Sequence, residues 1–189
     1  MSAERCAVVG IGQTKCASTR GDVSIGGLVR EAVDRALADA DMTMADIDAI
    51  VIGKAPDPLE GVMMPELWLT DALAAAGKPV FRVHTAGSVG GSTAVVASNL
   101  VTGGVHERVL TLAFEKQSDG NAMWALSVPL PFGMPVHAGA GGYFSPHIRS
   151  YIRRSGAPPH IGAMVAIKHR LNACRNPYAH LHEPDWTLE

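Results

Sequence analysis

The segment His84-Thr85-Ala86-Gly87-Ser88-Val89-Gly90-Gly91-Ser92-Thr93-Ala94 constrains this chain more than any other. The apolar run Pro79-Val80-Phe81-Arg82-Val83 precedes it, and a second apolar run, Ala94 to Val101, follows. A strand that turns sharply into a glycine-softened helix sets one side chain over the first N–H groups of that helix. Those donors lack partners inside the helix, and the helix dipole adds partial positive charge. Anions and nucleophiles are therefore stabilised there. The residue in that seat is Ser88.

The rest of the chain reads as strands alternating with helices. Cys6 to Ile11 is a short apolar run expected to form a buried strand, closed by Gly10-Ile11-Gly12. Leu28, Val29, Ala32, Val33, Ala36 and Leu37 recur at helical spacing, with Ser24 as a plausible N-cap. Ile47 to Gly53, Val80 to Val83 and Arg108 to Phe114 read as further strands. Leu67 to Ala76, stopped by Gly77-Lys78-Pro79, and Gly91 to Thr102 read as helices. Strands that are apolar nearly throughout and alternate with helices predict a mostly parallel sheet covered on both faces. Beyond Glu115 the texture changes to glycine and proline without clean periodicity. Short helices are expected at Pro146 to Arg154 and Ile161 to Leu171, and a loop from Asn172 on. The boundary falls near residues 116–119, dividing an α/β core (1–118) from a loop-and-helix lobe (119–189).

Bulk numbers exclude several classes. Of 189 residues 47% are hydrophobic and 18% charged, a globular composition and not a disordered one. A formal net charge of −2 leaves no electrostatic footprint for nucleic acid. Cys6, Cys16 and Cys174 are too few and too widely spaced for a disulfide framework or a zinc pattern. No signal peptide and no apolar run of the ~18 residues needed to span a membrane is visible, so a cytoplasmic setting is expected. The histidines at 137, 147, 160, 169, 180 and 182 lack metal-ligand spacing, and no metal is expected.

Taken together, strand, His84 to Ala94, helix, and then Leu112-Ala113-Phe114-Glu115-Lys116-Gln117-Ser118 resemble the thiolase superfamily. The nearest branch is the sterol-carrier-protein-type thiolases and the lipid-transfer-protein thiolase homologues of actinobacterial steroid catabolism. Gly141-Gly142-Tyr143-Phe144 and Asn176-Pro177-Tyr178-Ala179 match that branch in order and approximate spacing. The resemblance implies a thiolase-like layered α/β fold, of which this chain is the N-terminal half with part of the loop domain. It implies a coenzyme A thioester as substrate and no bound cofactor. Two departures stand out. The family's nucleophilic cysteine position holds Ser88, and the second half, with its catalytic histidines and second cysteine, lies beyond the family region matched here.

Each candidate carries two readings. Ser88 is a nucleophile or an N-cap serine; a hydroxyl gains too little from a helix terminus to act without an adjacent base, and no Ser-His-Asp ordering is evident. His84 is a base or donor facing a reaction cavity, or a half-buried histidine satisfying the backbone. Gly87, Gly90 and Gly91 open backbone N–H groups to a thioester oxygen, or let helix pack on sheet. By resemblance, the segment with His137, Gly139 to Gly142, Tyr143 and His147 lies near an acyl-CoA tunnel, and Arg149, Arg153 and Arg154 could meet CoA phosphates or form a solvated face. Met63, Met64 and Trp68 read as core or interface packing.

These readings lead to a protein acting on CoA thioesters of lipids or steroids. The reaction implied by the resemblance is acyl transfer or carbon–carbon bond cleavage beside the thioester, and two mechanisms compete: Claisen chemistry needs a cysteine thiolate, which is absent, whereas retro-aldol cleavage needs only an acid and a base and is compatible with its loss. The alternative is a non-catalytic acyl-CoA-binding or structural partner subunit. Association is expected as a homo-oligomer or with a partner subunit, since an α/β half of four strands leaves sheet edges open.

Overall fold

The computed structural model describes residues 5–54, 61–120, 139–177 and 179–188, with the backbone alone at 139, 140 and 143. The chain divides into two units, residues 1–14 with 19–121 and residues 15–18 with 122–189.

In the first unit α1 (Ile25–Asp39) starts at Ser24, whose hydroxyl accepts the Gly27 N–H at 3.1 Å, as its cap position requires. A 3₁₀ turn (Met44–Asp46) is closed by a capping box in which Thr43 and Asp46 exchange hydrogen bonds. It leads into β1 (Ala49–Gly53), buried at every position. Next come α2 (Pro65–Ala72), β2 (Val80–Val83), α3 (Val89–Thr102) and β3 (Val109–Ala113). Among the described residues the strands form a three-stranded parallel sheet in the order β2-β1-β3, with Ile50 opposite both Val80 and Leu110.

Side chains alternate across β1, and this sorts the helices into layers. Ile50 and Ile52 pack with Val29, Val33 and Leu37 of α1 and with Leu69 and Leu73 at α2. The other face belongs to α3. A Cβ on Gly53 would collide with the Thr93 methyl and stand 2.7 Å from a Val89 methyl. Gly53 is therefore the glycine that lets helix and sheet close together. Gly87 and Gly91 have nothing within 4 Å of an added Cβ, and Gly90 only the Ala113 methyl at 3.9 Å, so packing does not require them.

Four expectations are corrected. Cys6 to Ile11 is no strand; it lies extended along α1, where a side chain at Gly10 or Gly12 would collide with the Ala36 or Ala32 carbonyl. The small side chains of Ala32, Ala36 and Ala40 create that groove, Ile11 N–H donates to Asp39 at 2.9 Å, and Val8 and Ile11 stay exposed. The helix expected at Leu67 to Ala76 instead begins at Pro65, whose missing N–H suits a first turn. It stops at Ala72, because Ala74 and Gly77 take positive φ. Of the two readings of Met63, Met64 and Trp68, core packing is overturned, since they are 66%, 51% and 67% exposed, and interface packing stays open.

The fourth correction falls in the second unit, which holds α4 (Gly139–Ser155) and α5 (Ile161–Ala173). The sequence places a helix start at Pro146, whereas α4 begins at Gly139 and carries Pro146 inside it. Ser145 folds its hydroxyl back to the Gly141 carbonyl at 2.6 Å, beside the backbone bond the proline cannot make. The segment after α5 returns to it: Arg170 pairs with Glu183 at 2.9 Å and lies 5.1 Å over the Trp186 ring. None of the described residues of this unit is buried.

Candidate functional site

Parallel strands put their carboxyl ends on one edge of a sheet, and ligands of open α/β sheets bind beyond that edge. His84 follows the last residue of β2, Lys54 follows β1, and Glu115 lies two residues beyond β3. The same edge holds the turn into α3, a 3₁₀ turn over Ala86–Ser88 that runs straight into the helix.

The turn is bent by Ala86, a non-glycine residue at φ +49°, a conformation that costs on the order of 1 kcal/mol. Hydroxyls close it. Thr85 donates to the Ser92 oxygen at 2.7 Å, Ser92 to the Ser88 carbonyl at 3.2 Å, and Ser88 to the Thr85 carbonyl at 2.8 Å. Ser88 thus occupies the N-cap position without capping: its side chain makes no bond to the helix N–H groups. The N-cap reading holds for the position and fails for the hydrogen bond. The hydroxyl proton goes to a carbonyl, which is no base for activating a nucleophile.

His84 is exposed, and its Nδ1 lies 3.2 Å from the Lys54 carbonyl oxygen. A carbonyl only accepts, so this contact requires the proton on Nδ1 and leaves the Nε2 lone pair of the neutral ring outward. Behind it the Lys54 ammonium is fully buried, 3.3 Å from Glu115 Oε2. Lys116 is also buried and pairs with Asp119 at 2.7 Å. Arg82 of β2 lies 3.8 Å from Glu66 of α2.

Of the candidate residues, His84, Gly87, Ser88, Gly90 and Gly91 share one exposed turn at the carboxyl edge of the sheet. Arg149 is exposed on α4 of the second unit, and Tyr143 belongs to the same helix. His137 lies outside the described residues. Sequence reasoning missed Lys54 and Glu115 as members of this edge. Their signal was a charge set directly after an apolar strand, at Gly53-Lys54 and Phe114-Glu115. Among the described residues no group of three His, Cys, Asp or Glu side chains could hold a metal, and no helix is long and apolar enough to cross a membrane.

No family model matches the chain. It is 27% identical over 190 residues to sterol carrier protein 2 of Homo sapiens, an alignment covering 93% of this chain and 34% of that protein. The chain thus spans about a third of the length of the curated relatives it matches in full. The Ltp2-ChsH2(DUF35) aldolase superposes with a TM-score of 0.69 at 26% identity, over 92% of this chain and 44% of that one. The priming β-ketosynthase of the R1128 polyketide pathway shares the fold, with a TM-score of 0.50 at 19% identity over 63% of this chain and 46% of that one. A parallel sheet crossed by α3, a strand-to-helix turn at its carboxyl edge and these likenesses along nearly the whole sequence support a thiolase-superfamily homologue of the lipid-transfer type.

Proposed function

We propose that the turn from His84 to Gly91 binds the thioester end of a lipid or steroid acyl-CoA and supports cleavage of the carbon–carbon bond beside it. One observation carries the reading: Gly87 and Gly91 stand under open space that packing does not use, with Gly90 between them meeting only the Ala113 methyl at 3.9 Å. A thioester oxygen approaching there meets the first N–H groups of α3, which Ser88 leaves uncapped. His84 Nε2 takes the proton of a 3-hydroxyl group. The C2–C3 bond breaks, C3 becomes a carbonyl, and the electron pair passes into a thioester enolate held by the N–H groups until C2 is reprotonated. Neither an oxidant nor a thiolate is needed, which accords with Ser88 in place of cysteine and with the likeness to an aldolase. Coenzyme A enters as part of the substrate and no resident cofactor takes part.

The working assembly contains more than one chain. Within the described residues β2 is an edge strand with Phe81 exposed, and Met63, Met64, Leu67 and Trp68 are exposed apolar groups on the same unit. Such surfaces call for a covering chain, either a second copy or a partner subunit.

The test offers 3-hydroxyacyl-CoA esters to the full chain, alone and with candidate partner subunits, and measures release of the carbonyl product. His84→Ala should lower cleavage about 10²- to 10⁴-fold, while Ser88→Ala leaves it within a few-fold. Cleavage that survives His84→Ala, or thiolysis of acetoacetyl-CoA that requires Ser88, refutes the assignment. The engaged Ser88 hydroxyl favours a second reading, acyl-CoA binding without chemistry. Saturable binding with no product from any ester in any combination would decide for it.

A further inference from the structure

We infer that the buried ion pair between Lys54 and Glu115 is a positioning device for His84, one that sets which ring nitrogen accepts a proton. This deepens the reading of His84 as the base and rests on it. Lys54 is the residue where the ends of all three strands meet. It follows β1; its ammonium reaches Glu115 beyond β3 at 3.3 Å; its carbonyl receives Nδ1 of His84, the residue after β2, at 3.2 Å. Phe114 N–H donates to the Gly53 carbonyl at 3.2 Å and carries the β1–β3 pairing up to this point, so Glu115 approaches from a fixed backbone.

The location is informative because the pair is costly. Lys54 has no exposed side-chain surface and Glu115 only 18%. An ammonium taken out of water is unfavourable unless paired, and an apolar pair of similar volume would serve stability as well. What the pair supplies is a fixed position for residue 54. The Lys54 carbonyl then stays within reach of Nδ1 and holds the proton there. An imidazole without such a partner favours the proton on Nε2, the atom that must be free if His84 is to take a proton from a ligand. Orienting partners that fix a histidine tautomer govern its use as base or ligand in the same way. Lys54 and Glu115 are positioning residues here, since neither is placed against the reacting atoms.

The experiment reads the tautomer directly. Long-range ¹H–¹⁵N correlation on the full chain, at a pH where the ring is neutral, reports which nitrogen of His84 is protonated; His84→Gln identifies the signal. The wild type should show the Nδ1–H form as the majority. Glu115→Gln should convert the majority to Nε2–H, and Glu115→Asp should restore Nδ1–H in part. If Glu115→Gln does not fold, the double variant Lys54→Met/Glu115→Leu, with an apolar pair in place of the charges, must show the same conversion. A wild-type ring protonated on Nε2, or a folded variant that keeps the wild-type tautomer, overturns the proposal. The readout needs no substrate, so a failed tautomer prediction and a failure to cleave thioesters are separate results.

Discussion

Where the strands of the sheet begin, Asp48 accepts the Glu107 and Arg108 N–H groups at 3.1 and 2.8 Å, and Lys78 donates to the Ile47 carbonyl at 2.5 Å. Where they finish, an ion pair is buried and His84 and Ser88 stand exposed. The first edge spends its polar groups on tying β1 to β3 and to the loop before β2. The second arranges them around an opening. Both edges frame the same buried β1 and both use side chains to satisfy backbone groups; the difference is that at the carboxyl edge those side chains belong to one exposed turn, set beside a buried ion pair.

Filling glycines tests that contrast most severely. At the carboxyl edge Gly53 is inside the packing and Gly91 is outside it. Gly53→Val should destabilise the first unit by about 3 kcal/mol or more, because the new methyls must displace Val89 and Thr93 and force α3 off the sheet. Denaturant unfolding read by tryptophan fluorescence and far-UV signal measures it. A loss under about 0.5 kcal/mol would mean that α3 is not seated on β1 at that point.

Ser88→Cys asks whether the turn retains the electrostatics of a nucleophile seat. In a background with Cys6, Cys16 and Cys174 replaced by serine, the new thiol lies at the head of the 14-residue α3. Its apparent pKa should fall about one unit or more below the ordinary ~8.5, since the dipole and uncapped N–H groups favour thiolate. Iodoacetamide labelling rate against pH gives the value. An unshifted thiol would place the helix terminus elsewhere.

A smaller effect of opposite sign is expected at Gly91→Ala. The position lies in the first turn of α3 with nothing near the added methyl, so helix propensity should raise stability by about 0.5–1 kcal/mol. The same methyl should weaken acyl-CoA binding, measured by calorimetric titration. Unchanged binding would remove Gly91 from the site and leave its edge no more open to ligands than the other.

How much of this was legible in the sequence depends on how local each cause is. The end of α3 at Thr102, though not its start at Val89, the Ser24 cap and the three observed strands were readable, because apolar periodicity, capping chemistry and glycine signals act within a few residues. Cys6 to Ile11 misled because a short apolar run does not say whether it will pair in a sheet or lie on a helix. That choice was made by Ala32, Ala36 and Ala40, a stripe of small residues on α1. Pro146 suggested a helix start and the glycines before it a flexible segment, and α4 runs through both nonetheless. The turn around Ser88 was expected, but the direction of its hydroxyl was not, since Thr85 and Ser92 compete for the same bonds. The Lys54–Glu115 pair joins residues 61 apart and exists only because the strand order sets β1 beside β3.

The quieter edge supplies the smallest expected effect, and its sign can be worked out. The Arg108 N–H, with that of Glu107, holds the Asp48 carboxyl below its ordinary value, more strongly than its partial desolvation raises it. A group whose pKa is lowered in the folded state adds stability above its unfolded pKa of about 3.9, and that contribution is lost as pH falls through the folded value. Asp48→Asn keeps the shape and one acceptor oxygen but no charge. At pH 7 the variant should therefore melt slightly below the wild type, and the two melting temperatures should begin to converge as the pH falls past the unfolded pKa of about 3.9 and meet only below the lower folded value, where the wild-type carboxylate is protonated as well. Thermal unfolding at several pH values between 7 and 3 reads the difference. A gap that stays constant across that range would mean that the Asp48 charge contributes nothing, and that the amino edge is held by backbone pairing alone, including the Asp48 N–H to Arg108 carbonyl bond at 2.9 Å.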